Sequence, residues 1–530
     1  MRKYFLLSML LFLLTGTLVQ AQQPDSIYFY KDGAIVYGEA TTQIDSLTFH
    51  ATNYYDLQRS EAIYSKLASY PELSIFTSMI LRSGYSNNLI NKTIWAPTNA
   101  SFQDMDPKDM LDLNSVRRIL NNQMCRNYVT TYNTFGIGKI RMYSGKTFTF
   151  SKSDAGYDLA GNRLLKTDIA MGSSIIHTVD GKNPYPLNIW EYIEQADGLD
   201  SLRTYIKSLT TMKQFSNIYV NGTFMDTITL PQNDMFDFLA NINLEDSIYT
   251  VLLPDNDAFI EALNRLLPYC KSPTGVPFQT DAAKWMILRE LVFRNILTIP
   301  SAKDFIYSVS GTKYEHPDSL FLGATSTTEL SNGVVYKVKH LKAFELGFQK
   351  RPIRIEAEDK TNNKVSANNY ELGIYWYRDF AFDISNGKYL LCKSTTTSSL
   401  SLLNVFFPLL NAFAMKYNLY VGFVPSVVSD TIDLRPYKLD FYLTTNGDDA
   451  SGSPTYTKMN ASNFITNPTT LTKVLVAENF DFPSCTIGHG LNVPLRIQLK
   501  IRNMGGATTT EIKNYNRSMR IDYILLEPVE

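Results

Sequence analysis

The feature that most constrains this chain is a pattern met twice. Thr93-Ile94-Trp95-Ala96-Pro97-Thr98-Asn99-Ala100-Ser101-Phe102 runs β-prone residues into a proline, then a Thr-Asn pair and an aromatic residue. Thr250-Val251-Leu252-Leu253-Pro254-Asp255-Asn256-Asp257-Ala258-Phe259 repeats that grammar 157 positions later. Proline lacks an amide donor and ends a ladder, while Thr98 or Asn99 offers a side chain able to cap the helix start that follows. Each copy therefore predicts a buried strand, a proline stop and a helical turn. Two further landmarks keep the same order. Arg126-Asn127-Tyr128-Val129 answers to Arg294-Asn295-Ile296-Leu297 at an offset of 168, and Ser174-Ile175-Ile176-His177 answers to Gly333-Val334-Val335-Tyr336 at 159. Insertions in loops between fixed elements produce such drifting offsets, so the chain reads as a long-period duplication.

Length and charge narrow the class. A chain of 530 residues with 44% hydrophobic content can build two to four domains, each with its own core. Fifty Lys+Arg stand against 51 Asp+Glu, so no basic field draws in nucleic acid or an anionic surface. At the start, Met1-Arg2-Lys3 is cationic, residues 4–14 are apolar and Val19-Gln20-Ala21 ends in a small residue. These mark residues 1–21 as a removable signal peptide, with no lipoprotein cysteine after it. No other stretch approaches the roughly 20 apolar residues of a spanning helix, so the mature chain carries no transmembrane span. The expected location is the periplasm, the outer cell surface or the extracellular space.

Taken in order, residues 22–55 form an N-terminal hairpin segment turning at Asp32-Gly33, with a short third strand at 44–49. Residues 56–196 show helical spacing over 61–67, 71–82 and 114–132, the last opening at Asn114, and strands at 140–143, 147–150 and 164–167. Residues 197–346 show helices at 202–215, 235–239 and 282–295 around a strand at 247–253. From 347 to 530 alternating runs dominate: 353–357, 381–384, 388–392, 417–424, 438–443, 474–477, 493–501 and 519–526. Eight such runs separated by turn residues predict an all-β sandwich or jelly roll.

On Thr93 to Phe102 and Ser174 to Asp180 the chain resembles fasciclin-domain proteins of the Bacteroidetes type. The second copy departs from the pattern: Leu253 replaces the alanine before the proline, and Tyr336 stands at the histidine position. Asn127 and Asn295 occupy a place where many members carry a histidine. The resemblance covers roughly residues 56–345 and implies two tandem α+β domains, each a β-wedge flanked by helices, used for adhesion and ligand binding outside the cell. It assigns a structural motif to Thr93, Pro97, Thr98, Asn99, Phe102 and His177, and to Pro254, Asn256, Phe259 and Tyr336. The altered histidine motif keeps the partners of other members from transferring. Separately, Ile355-Glu356-Ala357-Glu358-Asp359 and Arg520-Ile521-Asp522-Tyr523-Ile524-Leu525-Leu526-Glu527-Pro528 resemble the first and last strands of galactose-binding-like carbohydrate-binding modules.

Chemistry is sparse. The five histidines lack metal spacing, and nucleophile-elbow, phosphate-loop and dinucleotide motifs are missing, so no catalytic residue and no cofactor are expected. His177 is either a hydrogen-bonded structural imidazole or a binding group. Glu356, Glu358 and Asp359 form an acidic cluster such as a glycosidase pair or a calcium site needs, read here as calcium candidates or a solvated strand edge ahead of catalysis. Tyr375, Trp376 and Tyr377 are the ligand-binding candidates, because alternation prevents three adjacent aromatics from facing one core; the competing reading is sandwich core with incidental exposure. Phe406-Phe407-Pro408-Leu409-Leu410 is a docking patch or a buried strand end. Cys125 and Cys270 read as buried free thiols, while Cys392 and Cys485 share the last domain and are the pair open to bridging. Seven Asp-Ser/Thr-aliphatic triplets, Asp200-Ser201-Leu202 among them, are glycosylation sites or turn punctuation. The expectation is an exported, non-enzymatic adhesion or ligand-binding protein of the cell envelope whose partner is a glycan or an envelope protein. The alternative is a glycan-active enzyme or accessory protein borne on adhesive modules.

Overall fold

The computed structural model describes residues 26–31, 34–40, 54–132, 138–220, 223–297, 305–342, 350–368, 370–377, 381–394, 402–428, 434–447, 453–490 and 493–529. The expected signal peptide, the strand expected at 44–49 and Asp448-Asp449, which the sequence reads as a turn, lie outside them. Ser26–Lys31 pairs antiparallel with Ala34–Ala40, as the intervening Asp-Gly predicts. The backbone groups into two compact units, 1–186 with 208–233, and 187–207 with 234–530.

In the first unit a seven-stranded sheet runs in the order Met124–Cys125, Thr93–Pro97, Ser174–Val179, Asn162–Met171, Gly156–Leu159, Thr147–Ser153, Gly138–Arg141. Thr93–Pro97 and Ser174–Val179 are parallel, with Trp95 opposite His177. Both strands are buried at every position, as a strand covered on two faces must be. Ile94, Ala96 and Ile176 pack with Ile63, Phe76, Ile80, Val116 and Leu120 from the helices. Trp95 and Val179 point the other way, into a cluster with Phe150 and Leu159. The helix expected over 114–132 stops at Asn121, because Met124–Cys125 leaves it to pair with Thr93 and Ile94. Its cap is Asp112, which accepts from the amides of Asn114 and Ser115, in place of Asn114. The helix expected over 202–215 likewise ends at Ser208; Thr210–Val220 is a strand of a two-stranded ribbon with Thr223–Asn233. Pairing overrode helical spacing in a β-branched stretch.

The second unit contains a four-stranded sheet ordered Val292–Arg294, Tyr249–Pro254, Gly333–Val338, Ala324–Leu330. Tyr249–Pro254 and Gly333–Val338 are parallel and the outer pairs antiparallel, the same order and directions as the first four strands of the other sheet. Gly333 has φ +151°, and a Cβ there would overlap the Tyr249 carbonyl, so glycine permits the close approach. The helix expected over 282–295 spans Val276–Leu291, ending where Val292–Arg294 joins the sheet.

The same unit holds two six-stranded antiparallel sheets. One runs Tyr370–Trp376, Lys388–Ser394, Met519–Pro528, Lys416–Phe423, Thr472–Asp481, with Ile353–Glu356 also pairing to Met519–Pro528. The other runs Ser366–Asn368, Leu403–Pro408, Gln498–Asn503, Lys438–Thr444, Thr457–Lys458, with Phe464–Ile465 also on Lys438–Thr444. Phe407, Tyr417, Phe423, Phe441, Ile501 and Ile524 fill the core between them. The first and last strands pair, Ile353 with Leu526 and Glu356 with Tyr523, as the resemblance of both ends implied. Residues 381–384 form no strand; Ile384 packs beside Tyr389 and Leu391 in a small separate cluster. The strand expected from 493 begins at Gln498, downstream of Pro494, which has no amide to donate. Phe407 and Leu409 are fully buried, so the 406–410 run is a strand end, not a docking patch.

Candidate functional site

The duplicated pattern becomes a duplicated set of hydrogen bonds. Thr93 Oγ1 donates to the Asn127 carbonyl at 2.6 Å and accepts from the Val129 amide at 2.9 Å. Thr250 Oγ1 donates to the Asn295 carbonyl at 2.8 Å and accepts from the Leu297 amide at 2.9 Å. Asn99 Oδ1 accepts from the Ile75 amide at 3.0 Å, and Asn256 Oδ1 from the Ser201 amide at 2.9 Å. Each asparagine thus satisfies an orphan donor in the first turn of a helix remote in sequence. Neither Thr98 nor Asn99 caps the short 3₁₀ turn Asn99–Phe102 that follows the first proline, contrary to the local reading. In the second copy Asp255 does cap, accepting from Ala258 N–H. Pro97 and Pro254 end their strands, and Phe102 and Phe259 are buried.

His177 is fully buried and stacks on Trp95 at 5.9 Å. Burial pushes its pKa below the ordinary imidazole value, against the pull of the Val129 carbonyl. The neutral ring donates from Nε2 to Val129 O at 3.0 Å and accepts at Nδ1 from the Asp168 amide at 3.3 Å. Tyr336, at the corresponding position, donates to Leu297 O at 3.0 Å. A phenol replaces an imidazole and keeps the bond to the equivalent carbonyl. Both ring nitrogens of His177 are thus satisfied by backbone partners, as a structural imidazole requires.

The aromatic triplet divides between surfaces. Trp376 is 65% exposed and Tyr375 38%, both on the edge strand Tyr370–Trp376. Tyr375 stacks on Tyr389 at 6.0 Å, while the Lys388 ammonium sits 4.0 Å from the Trp376 ring centroid. Tyr377 instead turns inward, packing against the cluster of Ile384 and Tyr389.

The acidic residues assemble differently from the sequence reading. Asp359 is exposed and bonds to Asn362, away from the others. Its place is taken by Asp522 from the last strand, 2% exposed, whose carboxylate accepts from the Ser385 amide at 3.1 and 3.3 Å. Ser385 Oγ donates to Glu356 at 2.7 Å, and Asn386 Nδ2 to Glu358 at 3.4 Å. Burial pushes all three carboxyls up, Asp522 to about 7, with Glu356 and Glu358 adding repulsion there. Glu356 Oε2 and Glu358 Oε2 are buried without a partner. Glu358 is 7% exposed, so this is no solvated strand edge. Hard oxygen donors suit calcium. Among the described residues, however, no group of three such side chains is set out to hold a metal ion.

Near this trio lies a cleft of about 990 Å³, within the size range of ligand sites. Arg289, Lys313, Arg351 and Arg354 line it against only two acids, Glu290 and Glu356. Glu290 is committed: Ser310, Thr312 and Tyr314 hydroxyls donate to it at 2.9, 2.9 and 2.6 Å. Arg289 donates to Asn411 Oδ1. Arg351 lies 4.3 Å over Tyr314 and Arg354 4.2 Å over Tyr523, so ring faces hold both guanidinium groups. The Ser385–Gly387 turn contributes Ser385 and Asn386 to the lining and leads straight into Lys388, the strand partner of Trp376. Five separate chain segments make this cleft, which is why no spacing in the sequence announced it.

The fasciclin domain family matches residues 71–181. No curated protein matches the sequence significantly. Among solved structures, the chain is similar to the fasciclin domain pair of the insect cell adhesion molecule Fasciclin I, at 14% identity over 51% of this chain and 96% of that one, TM-score 0.21. It is also similar to a carbohydrate-binding module that recognises mannan, at 11% identity over 34% and 99%, TM-score 0.19. A third is an exo-β-1,3-galactanase from Phanerochaete chrysosporium solved with galactose, at 9% identity over 33% and 29%, TM-score 0.16.

Proposed function

We propose that this chain is an exported, non-enzymatic adhesion protein in which two tandem fasciclin-like domains, 56–196 and 197–346, carry a glycan-recognising β-sandwich, 347–530. The second domain is read as a divergent copy because Thr250, Asn256 and Tyr336 repeat the bonds of Thr93, Asn99 and His177. The observation that carries the ligand class is the cation-rich cleft with an exposed indole beside its lining turn. Sugar rings stack on aromatic faces, and an excess of guanidinium groups favours carboxylated or sulfated sugars. Binding of the full-length chain to an array of neutral and acidic glycans tests this. Retention of acidic glycans, lost in Trp376→Ala and weakened in Arg351→Ala, is the expected result. A folded chain that retains no glycan would leave a protein partner of the envelope as the reading.

A second reading, a glycan-active enzyme, draws on Glu356, a carboxyl with a raised pKa that lines the cleft. Against it, the other lining acid, Glu290, already accepts three hydroxyl bonds. Release of reducing sugar from acidic polysaccharides, abolished in Glu356→Gln, would favour the enzyme.

A further inference from the structure

Cys270 and Cys485 come from distant parts of the second unit and are both buried, at 0% and 1% exposure. Their segments are tied together on either side. The Cys485 amide donates to the Lys271 carbonyl at 2.8 Å, and the Ala414 amide to the Tyr269 carbonyl at 2.7 Å. Tyr269 also meets Phe413 edge-on at 6.3 Å. Within this seam each thiol is the other's hydrogen-bonding neighbour. Cys125 and Cys392 differ: each is buried in an apolar core, Cys125 bonding to the Asn127 carbonyl.

We propose that Cys270 and Cys485 are a disulfide-forming pair that locks the 269–271 segment to the sandwich. This replaces the Cys392–Cys485 pairing open at the level of sequence, since Cys392 lies inside the sandwich core. A cavity of about 270 Å³ lined by Ser272, Phe278, Val493 and Cys485 lies beside the pair. The Cys270 hydrogen bond lowers the pKa of Cys485, outweighing burial, whereas the same contact and burial raise Cys270. Cys485 is accordingly the attacking thiolate. It displaces one sulfur of a small-molecule or protein disulfide, forming a mixed disulfide and releasing a thiolate. Cys270 then loses its proton and attacks Cys485 Sγ, releasing the second thiolate. Two protein thiols are oxidised, and one external disulfide is reduced to two thiols.

The test is incubation of the full chain with oxidised glutathione, both folded and during refolding, followed by alkylation in denaturant without reductant and peptide mapping. A peptide linking Cys270 to Cys485, with Cys125 and Cys392 alkylated, is the expected result. The linked form should melt higher than the reduced form, and this difference should vanish in Cys485→Ser. Alkylation of all four cysteines after both treatments would overturn the proposal. So would a bridge to Cys125 or Cys392, or an unresolved glutathione adduct on Cys485.

Discussion

His489 Nδ1 lies 2.7 Å from Oδ2 of Asp234. Its Nε2 lies 2.8 Å from Oδ2 of Asp281, and Trp285 flanks the ring at 5.0 Å. Two carboxylates on one imidazole require a proton on each nitrogen. Burial opposes that charge, but the bonds to Asp281 and Asp234 outweigh it and raise the pKa. Next to it, Gly490 has φ +57°, and a Cβ there would meet the Asp234 carboxylate.

A raised histidine pKa contributes stability that is complete below the unfolded value of about 6.5 and lost as pH rises through the higher folded value. With Asp281 40% exposed, solvent screening holds this to about 1 kcal/mol. Thermal unfolding of wild type and His489→Gln across that window checks it. The wild type should lead at the acidic end and the difference should shrink with rising pH; parallel curves would remove the ion pairs from the account.

Asp522 reverses the usual carboxylate behaviour. Its folded pKa of about 7 lies above an unfolded value of about 3.9, so the folded state holds the extra proton and stability falls between them. Asp522→Asn should remove up to about 4 kcal/mol of that decline, as read from paired pH–stability curves. Millimolar calcium should leave the wild-type midpoint unmoved; a rise abolished by the substitution would show the three carboxyls closing on a cation.

Thr93→Val and Thr250→Val each remove two hydrogen bonds, one to a carbonyl and one from an amide. Each should cost about 2 kcal/mol in denaturant unfolding. Tyr336→Phe, losing one bond to Leu297 O, should cost about 1 kcal/mol. Equal stability for the valine variants would deny the duplicated bonds a structural role.

Gly333→Ala should be far more damaging than its size suggests, at about 3 kcal/mol or more, because strain at φ +151° adds to a clash with the Tyr249 carbonyl. Loss of soluble expression or a melting point lowered well beyond that of Gly323→Ala, where a Cβ meets open space, is the expected contrast.

Much of the scaffold was legible. Asp32-Gly33 announced a hairpin, Pro97 and Pro254 marked strand ends, and the resemblance of 355–359 and 520–528 to the first and last strands of carbohydrate-binding modules implied the terminal pair. Helix ends were misread wherever a few β-branched or apolar residues left a helix for a sheet edge, as at Met124–Cys125 and Val292–Arg294. The site was less legible. Alternation implied that Tyr375, Trp376 and Tyr377 would divide between core and surface without saying which would be exposed, whereas Asp522 carried no sign that it would join Glu356 and Glu358.

What the sequence determined by itself rests on interactions reaching a few residues: periodicity, turn chemistry, the missing amide of proline and the repetition of all three. Tertiary structure alone decided what meets across long separations. It placed Arg289, Arg351 and Arg354 around one cleft, and set Cys485 beside Cys270 instead of Cys392. It also put His489 between two aspartates. Such meetings follow from how whole elements bury their apolar faces, and no local pattern encodes them.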